Sequence, residues 1–544
     1  MNNNGLILNL LTISRLNLLF ISALTLENAT AHEILTRISV DSQGRGGNGA
    51  SQAAALSANG RYLAFQSEAN NLIENDTNGY TDIFIYDRIT QICQRVSVSS
   101  QQEPANFVSF FPTISGDGQW IAFQSDAFNL VANDSNSTTD IFLHQRDSAR
   151  TIMISINSKK EQGNSTSSEP SISADGRYIA FHSYASNLVA NDTNQKSDIF
   201  VYERETGTLS RVSVRSKGEQ VNGPSFGAAI NGNGRFIAFS SDASDLVAND
   251  NNETIDVFVH DREALETVRV SVSSEGEAGN DASYYASISA DGRLVAFQSR
   301  ATNLVAEDSN GVEDIFVHDL TSGETQRVSV NDEGIAGEAA SFAPQISGNG
   351  RFVIFNSNAD NLVADDDNQG TDVFVYDLAN KNIRRLTLNS QNDRNPRAAL
   401  YAPSISYDGR WAAFESKAWN LVANDFNEAM DIFLYDRAYY ATYDITKAQL
   451  YIPVLNVPGA GLFKAYLDLQ IGTPPLKFNL GKSRSFPIDL IADDIPTRYD
   501  AGFLELPRIE VFQPPQASEY CQATMKLDEQ NGNFILTQLI CSPD

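Results

Sequence analysis

The sequence predicts an all-β chain: a seven-bladed β-propeller closed by an N-terminal strand, followed by a small C-terminal β domain. Three observations carry this. Phe65, Phe123, Phe181, Phe239, Phe297 and Phe355 recur every 58 residues, and Phe414 follows after 59; a fixed period of this size marks a solenoid or a propeller. Within each period lie four short runs rich in Ile, Val, Phe and Tyr, set apart by turn residues, a pattern of strands. Seven sets of the first three runs are present, but the fourth run of the last set is missing, while an extra one, "RISV" (37–40), stands before the first set. The N-terminal run therefore completes the last blade and seals the ring.

The first 31 residues have the form of an export signal. "LNLLFISALTL" (16–26) follows Arg15 and precedes Ala29-Thr30-Ala31, an A-x-A cleavage site. The apolar run is short for a membrane span, and no later stretch reaches 18 apolar residues. The expected mature protein is periplasmic or secreted, a monomer, with no integral span once the signal is removed.

Residues 34–437 make up the expected propeller. In residues 170–214 the four strands are "PSIS" (a), "RYIAFHS" (b), "DIFVYER" (c) and "SRVSV" (d). The a–b turns all carry Asn-Gly or Asp-Gly, from Asn59-Gly60 to Asp408-Gly409, which predicts two-residue type I′ hairpins. These turns and the c–d turns are short, whereas the b–c and d–a loops are long. In a four-stranded meander the two long loops share one face, and long loops on a rigid scaffold are where binding resides.

Residues 438–544 abandon the period and read as short strands of a small, sandwich-like β domain. Around Asn531-Gly532 they predict a hairpin with a three-residue loop, which places Cys521 opposite Cys541, where a disulfide can form. Such a bond fits an oxidising compartment. Cys93 is left over as an ordinary strand residue.

A formal net charge of −29 repels phosphate backbones and excludes nucleic acid as a partner. Cations or basic protein surfaces suit it better. With 42% hydrophobic and 10% aromatic residues, the chain has enough apolar surface for a large core.

The phrase "NDTNGYTDIFIYDR" (75–88) returns in every blade. Its fixed polar residues are Asp76/Asn78/Asp82, Asp134/Asn136/Asp140, Asp192/Asn194/Asp198, Asp250/Asn252/Asp256, Asp308/Asn310/Asp314, Asp366/Asn368/Asp372 and Asp425/Asn427/Asp431. Oxygen ligands at positions 1, 3 and 7 of a tight loop suit structural calcium. Asp87, at position 12, lies too far along strand c to close such a site. The same residues also serve as turn and cap chemistry, bonding backbone amides. Both readings stand at this level, and neither makes the motif catalytic.

Ligand specificity belongs where the repeats differ. Just before strand a the aligned position holds Phe110, Phe226, Tyr284, Phe342 and Tyr401. These aromatics either line the channel mouth, to grip a peptide or stack on sugar, or wedge between blades. The histidines are scattered: His144, His260 and His318 replace strand-c tyrosines, and His182 stands alone at the Gln66 position.

The string "ISADGRYIAFHS…NLVANDTN…DIFVYERETGTLSRVSV" resembles the TolB-type, WD-repeat-like β-propellers of bacterial envelope and secreted proteins, over about residues 34–437. That resemblance implies the propeller fold. It leaves function open between protein-binding propellers, peptidase-attached propellers and pectate-degrading lyases. Neither an appended α/β-hydrolase segment nor a G-x-S-x-G elbow is expected, which argues against a peptidase. The expectation is a non-catalytic scaffold for a protein or glycan ligand, with calcium as the one cofactor to consider. The alternative is a polysaccharide lyase or glycosidase working in the central channel.

Overall fold

The computed structural model describes residues 35–387 and 402–437, apart from 249, 365, 367, 368, 423, 424 and 426, and the backbone of eight strands between Ala441 and Ser542. Tyr401 and Asn368 lie outside the described residues. The chain divides into one compact unit, Ile34–Asp436, and a second that contains Arg437–Asp544.

The first unit is a seven-bladed β-propeller. In blade 1, strands a (Ser51–Leu56), b (Tyr62–Ser67), c (Asp82–Asp87) and d (Ile92–Arg95) pair antiparallel in chain order. Five more sheets repeat this plan, and the seventh is built from Ser404–Ile405, Trp411–Ser416, Asp431–Asp436 and the N-terminal strand Leu35–Arg37. Arg37 pairs with Phe433 as Arg95 pairs with Phe84, so the N-terminal strand occupies the d place in register and closes the ring. It runs over Leu35–Arg37, earlier than the "RISV" segment predicts.

Each blade's core is a pair of phenylalanines facing each other across strands b and c. Phe65 and Phe84 stack at 5.9 Å between centroids, and Phe414 and Phe433 do the same at 6.0 Å in blade 7. Residues alternate along a strand with period two, so one 58-residue spacing keeps these rings on one face in every blade.

Two local expectations change. First, strand d ends at Arg211 rather than running through Val214. The Ile199 N–H donates to Ser213 Oγ at 3.0 Å, so a serine side chain stands in for the ladder and the backbone is free to turn away. Secondly, the a–b turns are not type I′. Only the glycine has positive φ (67° at Gly60), and Gly60 N–H donates to Ser57 O at 2.9 Å. That closes a turn over residues 57–60, with Asn59 Oδ1 accepting from Arg61 N–H at 3.0 Å.

The turn takes this form because its second residue is engaged elsewhere. Ala58 N–H donates to Gly116 O, Gly116 to Ala174, Ala174 to Gly232, Gly232 to Ala290 and Ala290 to Gly348; Asn349 N–H then donates to Tyr407 O, and Tyr407 N–H returns to Ala58 O. All seven bonds measure 2.8–3.1 Å. The a strands of successive blades touch in a closed circle, so they are the inner strands. This ring of amides draws the channel tight at the short-turn end. Seven strands at hydrogen-bonding separation span roughly 11 Å through their backbones.

The second unit forms a single eight-stranded sheet that closes on itself, not a sandwich: its first strand, Ala441–Asp444, pairs in parallel with Phe503–Phe512. Cys521 and Cys541 are register partners across Glu519–Asp528 and Asn533–Ser542. The hairpin reaches that register by another route than the one expected. Pairing starts at Asp528 and Asn533, leaving four residues between, and a bulge between Thr524 and Met525 restores the step. Cys93 is buried and free. Among the described residues no helix is long and apolar enough to cross a membrane.

Candidate binding face and the clamps beneath it

The seven-fold polar motif lies where the b–c loop enters strand c. In blade 1, Asp82 is wholly buried. Its Oδ1 accepts from Ser97 Oγ (2.5 Å), and its Oδ2 from Asn78 Nδ2 (2.7 Å) and Arg95 Nη1 (3.0 Å). The same Nη1 donates to Asp76 Oδ1 at 2.8 Å. Asn78 also donates to Ala105 O in the following d–a loop. The motif therefore ties the two long loops to each other around one guanidinium.

Blades 3 to 6 repeat the pairing. Arg211 lies between Asp192 and Asp198, and Arg269 between Asp250 and Asp256. Arg327 joins Asp308 to Asp314, and Arg385 joins Asp366 to Asp372. In blade 7 the arginine is Arg37, brought by the N-terminal strand to Asp425 (3.0 Å) and Asp431 (3.6 Å).

The asparagines of the motif also depart from the ligand role that calcium would ask of them. Asn194, Asn252 and Asn310 each turn Nδ2 toward the second aspartate, Asp198, Asp256 and Asp314, at 3.4, 2.8 and 2.8 Å. Asn427 does the same to Asp431 at 2.8 Å. A metal needs the asparagine's oxygen, whereas the donor end points at the carboxylate and an arginine supplies the positive charge. Among the described residues no three acidic, histidine or cysteine side chains gather as a metal would require. The arginines, and the serine or threonine two residues beyond each, are residues that the sequence reading took for plain strand d. Their own 58-residue spacing was the available signal.

Blade 2 is the exception. Met153 stands at the arginine position, and no described guanidinium lies between Asp134 and Asp140. Gln162 Nε2 reaches Asp134 at 3.3 Å, and Asn136 and Ser155 bond Asp140. Burial, reinforced by the Asp134 charge, pushes Asp140 up to about 6. Burial also raises Asp82 in blade 1, where Ser97 and Arg95 oppose the shift.

Of the aromatics, Phe110, Phe226, Tyr284 and Phe342 are half-buried and pair with Gln124, Ser240, Gln298 and Asn356 at the end of strand b. Register partners share a sheet face, and Gln124 and Gln298 reach the next blade from that face. These aromatics therefore lie on the sheet face turned toward the next blade, near the mouth. The residue after each is different. Ala53, Phe111, Glu169, Tyr285 and Ala343 all have φ between 51° and 55°, and Gly227 has 64°. The register shifts at this point in the a strands of blades 1 to 6. A bulge thus lifts one residue out of the ladder in each of these six blades, on the strand that borders the channel.

The bulged amides are capped from the preceding blade: Gln66 accepts from Phe111 N–H, Gln124 from Glu169, Gln298 from Ala343 and Glu415 from Ala53. His182 and Ser240 break the series, and within the described residues His182 Nδ1 and Ser240 Oγ have no hydrogen-bond partner. His182 Nδ1 lies 3.6 Å from Glu169 Oε2, too far for a hydrogen bond. Burial pushes the imidazole down to about 4, so it is uncharged at neutral pH. The mouth is therefore asymmetric on blades 2 to 5 and nearly uniform elsewhere.

No protein-family model and no curated protein matches the chain. Solved structures do. It is similar to an oligogalacturonate lyase in complex with manganese (13% identity, 76% of this chain and 95% of that one, TM-score 0.44). It is also similar to a putative TolB from Agrobacterium tumefaciens (16%, 51% and 79%, 0.33) and to the β-propeller domain of the trilobed protease from Pyrococcus furiosus (11%, 71% and 95%, 0.43). The likeness is one of fold alone.

Residues Gly223 to Gly227 do spell G-x-S-x-G, the pattern of a hydrolase nucleophile elbow. Ser225, however, is wholly buried in a strand, its Oγ 3.0 Å from Ser241 Oγ. It sits on no strand-to-helix turn and is not a nucleophile. His144, His260 and His318 are likewise buried, each with Nδ1 2.9 Å from a threonine hydroxyl, and serve the packing.

Proposed function

We propose that this protein is an exported, non-catalytic scaffold that binds a protein or glycan partner on its long-loop face, centred on the channel mouth. The observation that carries the reading is the contrast between the two ends of the channel. One end is narrowed by a ring of backbone amides nearly alike in every blade, and the other bears bulged side chains that differ from blade to blade. Symmetric residues maintain a repeated fold, whereas recognition needs the positions that vary. Capture of partners from matching cell-envelope extracts by the immobilised full chain tests this. A captured partner should be lost on Phe111→Ala with Tyr285→Ala. One retained equally by that double variant would place binding elsewhere.

In this reading the Asp/Asn/Asp motifs are structural clamps, with arginine in the place a calcium ion would take. The melting temperature is expected to be the same in excess calcium and in chelator. Stabilisation by calcium of about 2.7 kcal/mol per site at 100 times Kd would restore the calcium reading.

One observation favours the enzyme alternative, a lyase or glycosidase: an imidazole and a carboxylate, His182 and Glu169, stand 3.6 Å apart beside the channel mouth. Release of unsaturated or reducing products from polygalacturonate, abolished by Glu169→Gln, would establish it. No turnover is expected.

A further inference from the structure

The channel mouth holds a carboxylate that the protein itself does not neutralise. Glu169 stands on the bulge of blade 3, its side chain 47% exposed. Its backbone N–H is capped by Gln124, which fixes where the side chain starts. Its one charged-type neighbour is His182, which stays neutral at physiological pH. No lysine or arginine occupies any of the bulge positions or the strand-b positions that face them, whereas Glu415 adds a second carboxylate in blade 7. Six of the seven clamps, and half-buried acids such as Asp87 and Asp319, are matched with arginines; the unmatched pair in blade 2, Asp134 and Asp140, is held by hydrogen bonds instead. Glu169 has neither an arginine nor a hydrogen-bond donor on its carboxylate among the described residues, and the surrounding protein raises its carboxyl, with nothing opposing.

The walls around it are suited to one kind of guest. Phe111 in the preceding blade, with Phe110 edge-on at 5.7 Å, offers an aromatic surface. Two blades on, Tyr285 is 60% exposed, with Tyr284 packed against it at 5.3 Å. Farther along the inner strands the side chains are small and uncharged (Thr113, Ser171, Ala229, Ser287), and the amide ring narrows the channel beyond them. An acid flanked by aromatic faces at the mouth of a narrowing channel favours a cation on a slender stem, held by charge and by ring quadrupoles together.

We infer that the channel mouth takes the basic side chain of a protein partner, a lysine or arginine that inserts beside Glu169 between the aromatic residues of blades 2 and 5. This rests on the long-loop face being the binding face, and it narrows the partner from protein or glycan to a basic protein segment. The net charge of −29 draws such a segment toward the protein from a distance. Glu169 then supplies the local contact that generic attraction lacks.

The test uses the full chain and a tetralysine amide, titrated by calorimetry at low and physiological salt. Glu169→Gln should weaken binding at least tenfold, and Tyr285→Ala should weaken it severalfold. Glu275→Gln, which removes an exposed charge from a d–a loop on the same face, should leave it within twofold. Unchanged thermal melts would show that the variants are folded. Equal binding by wild type and Glu169→Gln would overturn the inference, because the attraction would then be the general field. Two further outcomes separate it from the reading beneath it. Tyr285-dependent binding of neutral oligosaccharides, with none of tetralysine, overturns the basic-segment inference and keeps the face. Partner capture that survives both Phe111→Ala and Tyr285→Ala overturns the face as well.

Discussion

Arg37 donates to Asp425 across 388 residues of sequence, Nη1 to Oδ1 at 3.0 Å. One guanidinium thereby joins the first described strand of the propeller to the last b–c loop. Two residues beyond the strand, Ser39 Oγ donates to Asp431, and it accepts from Ile432 N–H. The ring is thus closed twice, once by the backbone ladder and once by a buried polar clamp.

Arg37→Met copies what blade 2 already has and should loosen this closure. Asp425 and Asp431 are almost wholly buried, and removing the cation leaves two carboxylates facing each other. Losing one partner of a buried pair costs about 3–5 kcal/mol. The urea midpoint is expected to fall accordingly, and protease cleavage near residue 40 to accelerate. A change under 1 kcal/mol would mean that the ladder alone closes the ring.

Met153→Arg should do the reverse in blade 2. The folded chain holds Asp140 at about 6, above its ordinary value of 3.8, so it favours the protonated form. That contribution is complete below about pH 4 and is lost as pH rises through about 6, by on the order of 2–3 kcal/mol. With an arginine at 153, stability measured at pH 7.5 should rise toward that at pH 4.5. An unchanged difference between the two pH values would show that residue 153 does not reach the pair.

Gly60→Ala should be strongly destabilising for two independent reasons. Its φ of 67° is costly for a residue with a Cβ, and that Cβ would fall 2.2 Å from Trp411 Cδ1 in the neighbouring blade. A loss of about 2–4 kcal/mol is expected, read from the thermal or urea transition. Gly79→Ala shares the positive φ but meets nothing within 4 Å, so the difference between the two variants isolates the contact with Trp411.

Cys521 and Cys541 face each other in register, and we expect them to be joined when the protein is made in an oxidising compartment. Thiol titration in denaturant should then count one thiol before reduction, from Cys93, and three after it. Three thiols before reduction would show the pair to be open.

The propeller was legible because each blade repeats one local solution. Phe65 and Phe84 stack within a single blade, so a constant spacing of phenylalanines announces the sheet count and even the missing d strand. The clamps were half legible. Asp76, Asn78 and Asp82 are close in sequence and invite a metal, but their cation is Arg95, 13 to 19 residues on and at the end of another strand. In blade 7 it comes from the opposite end of the chain. Phe110 and Tyr284 come forward in the sequence because their aligned position varies between repeats. The bulge at the next residue, which carries Phe111, Glu169 and Tyr285 out of the ladder, leaves no mark that pattern-reading detects.

What the sequence by itself determined is the architecture: seven blades, one face with all the long loops, and a closing strand at the N-terminus. Hydrophobic periodicity and turn residues are local, and repetition of a local signal in blade after blade leaves little ambiguity. What only the tertiary structure decided is where charge is balanced and where it is not. An arginine finds its aspartates, or Glu169 fails to find an arginine, through contacts between segments that are distant in the chain. The repeat spacing marks the arginines as a set, but which acids each one meets follows from the folded sheet.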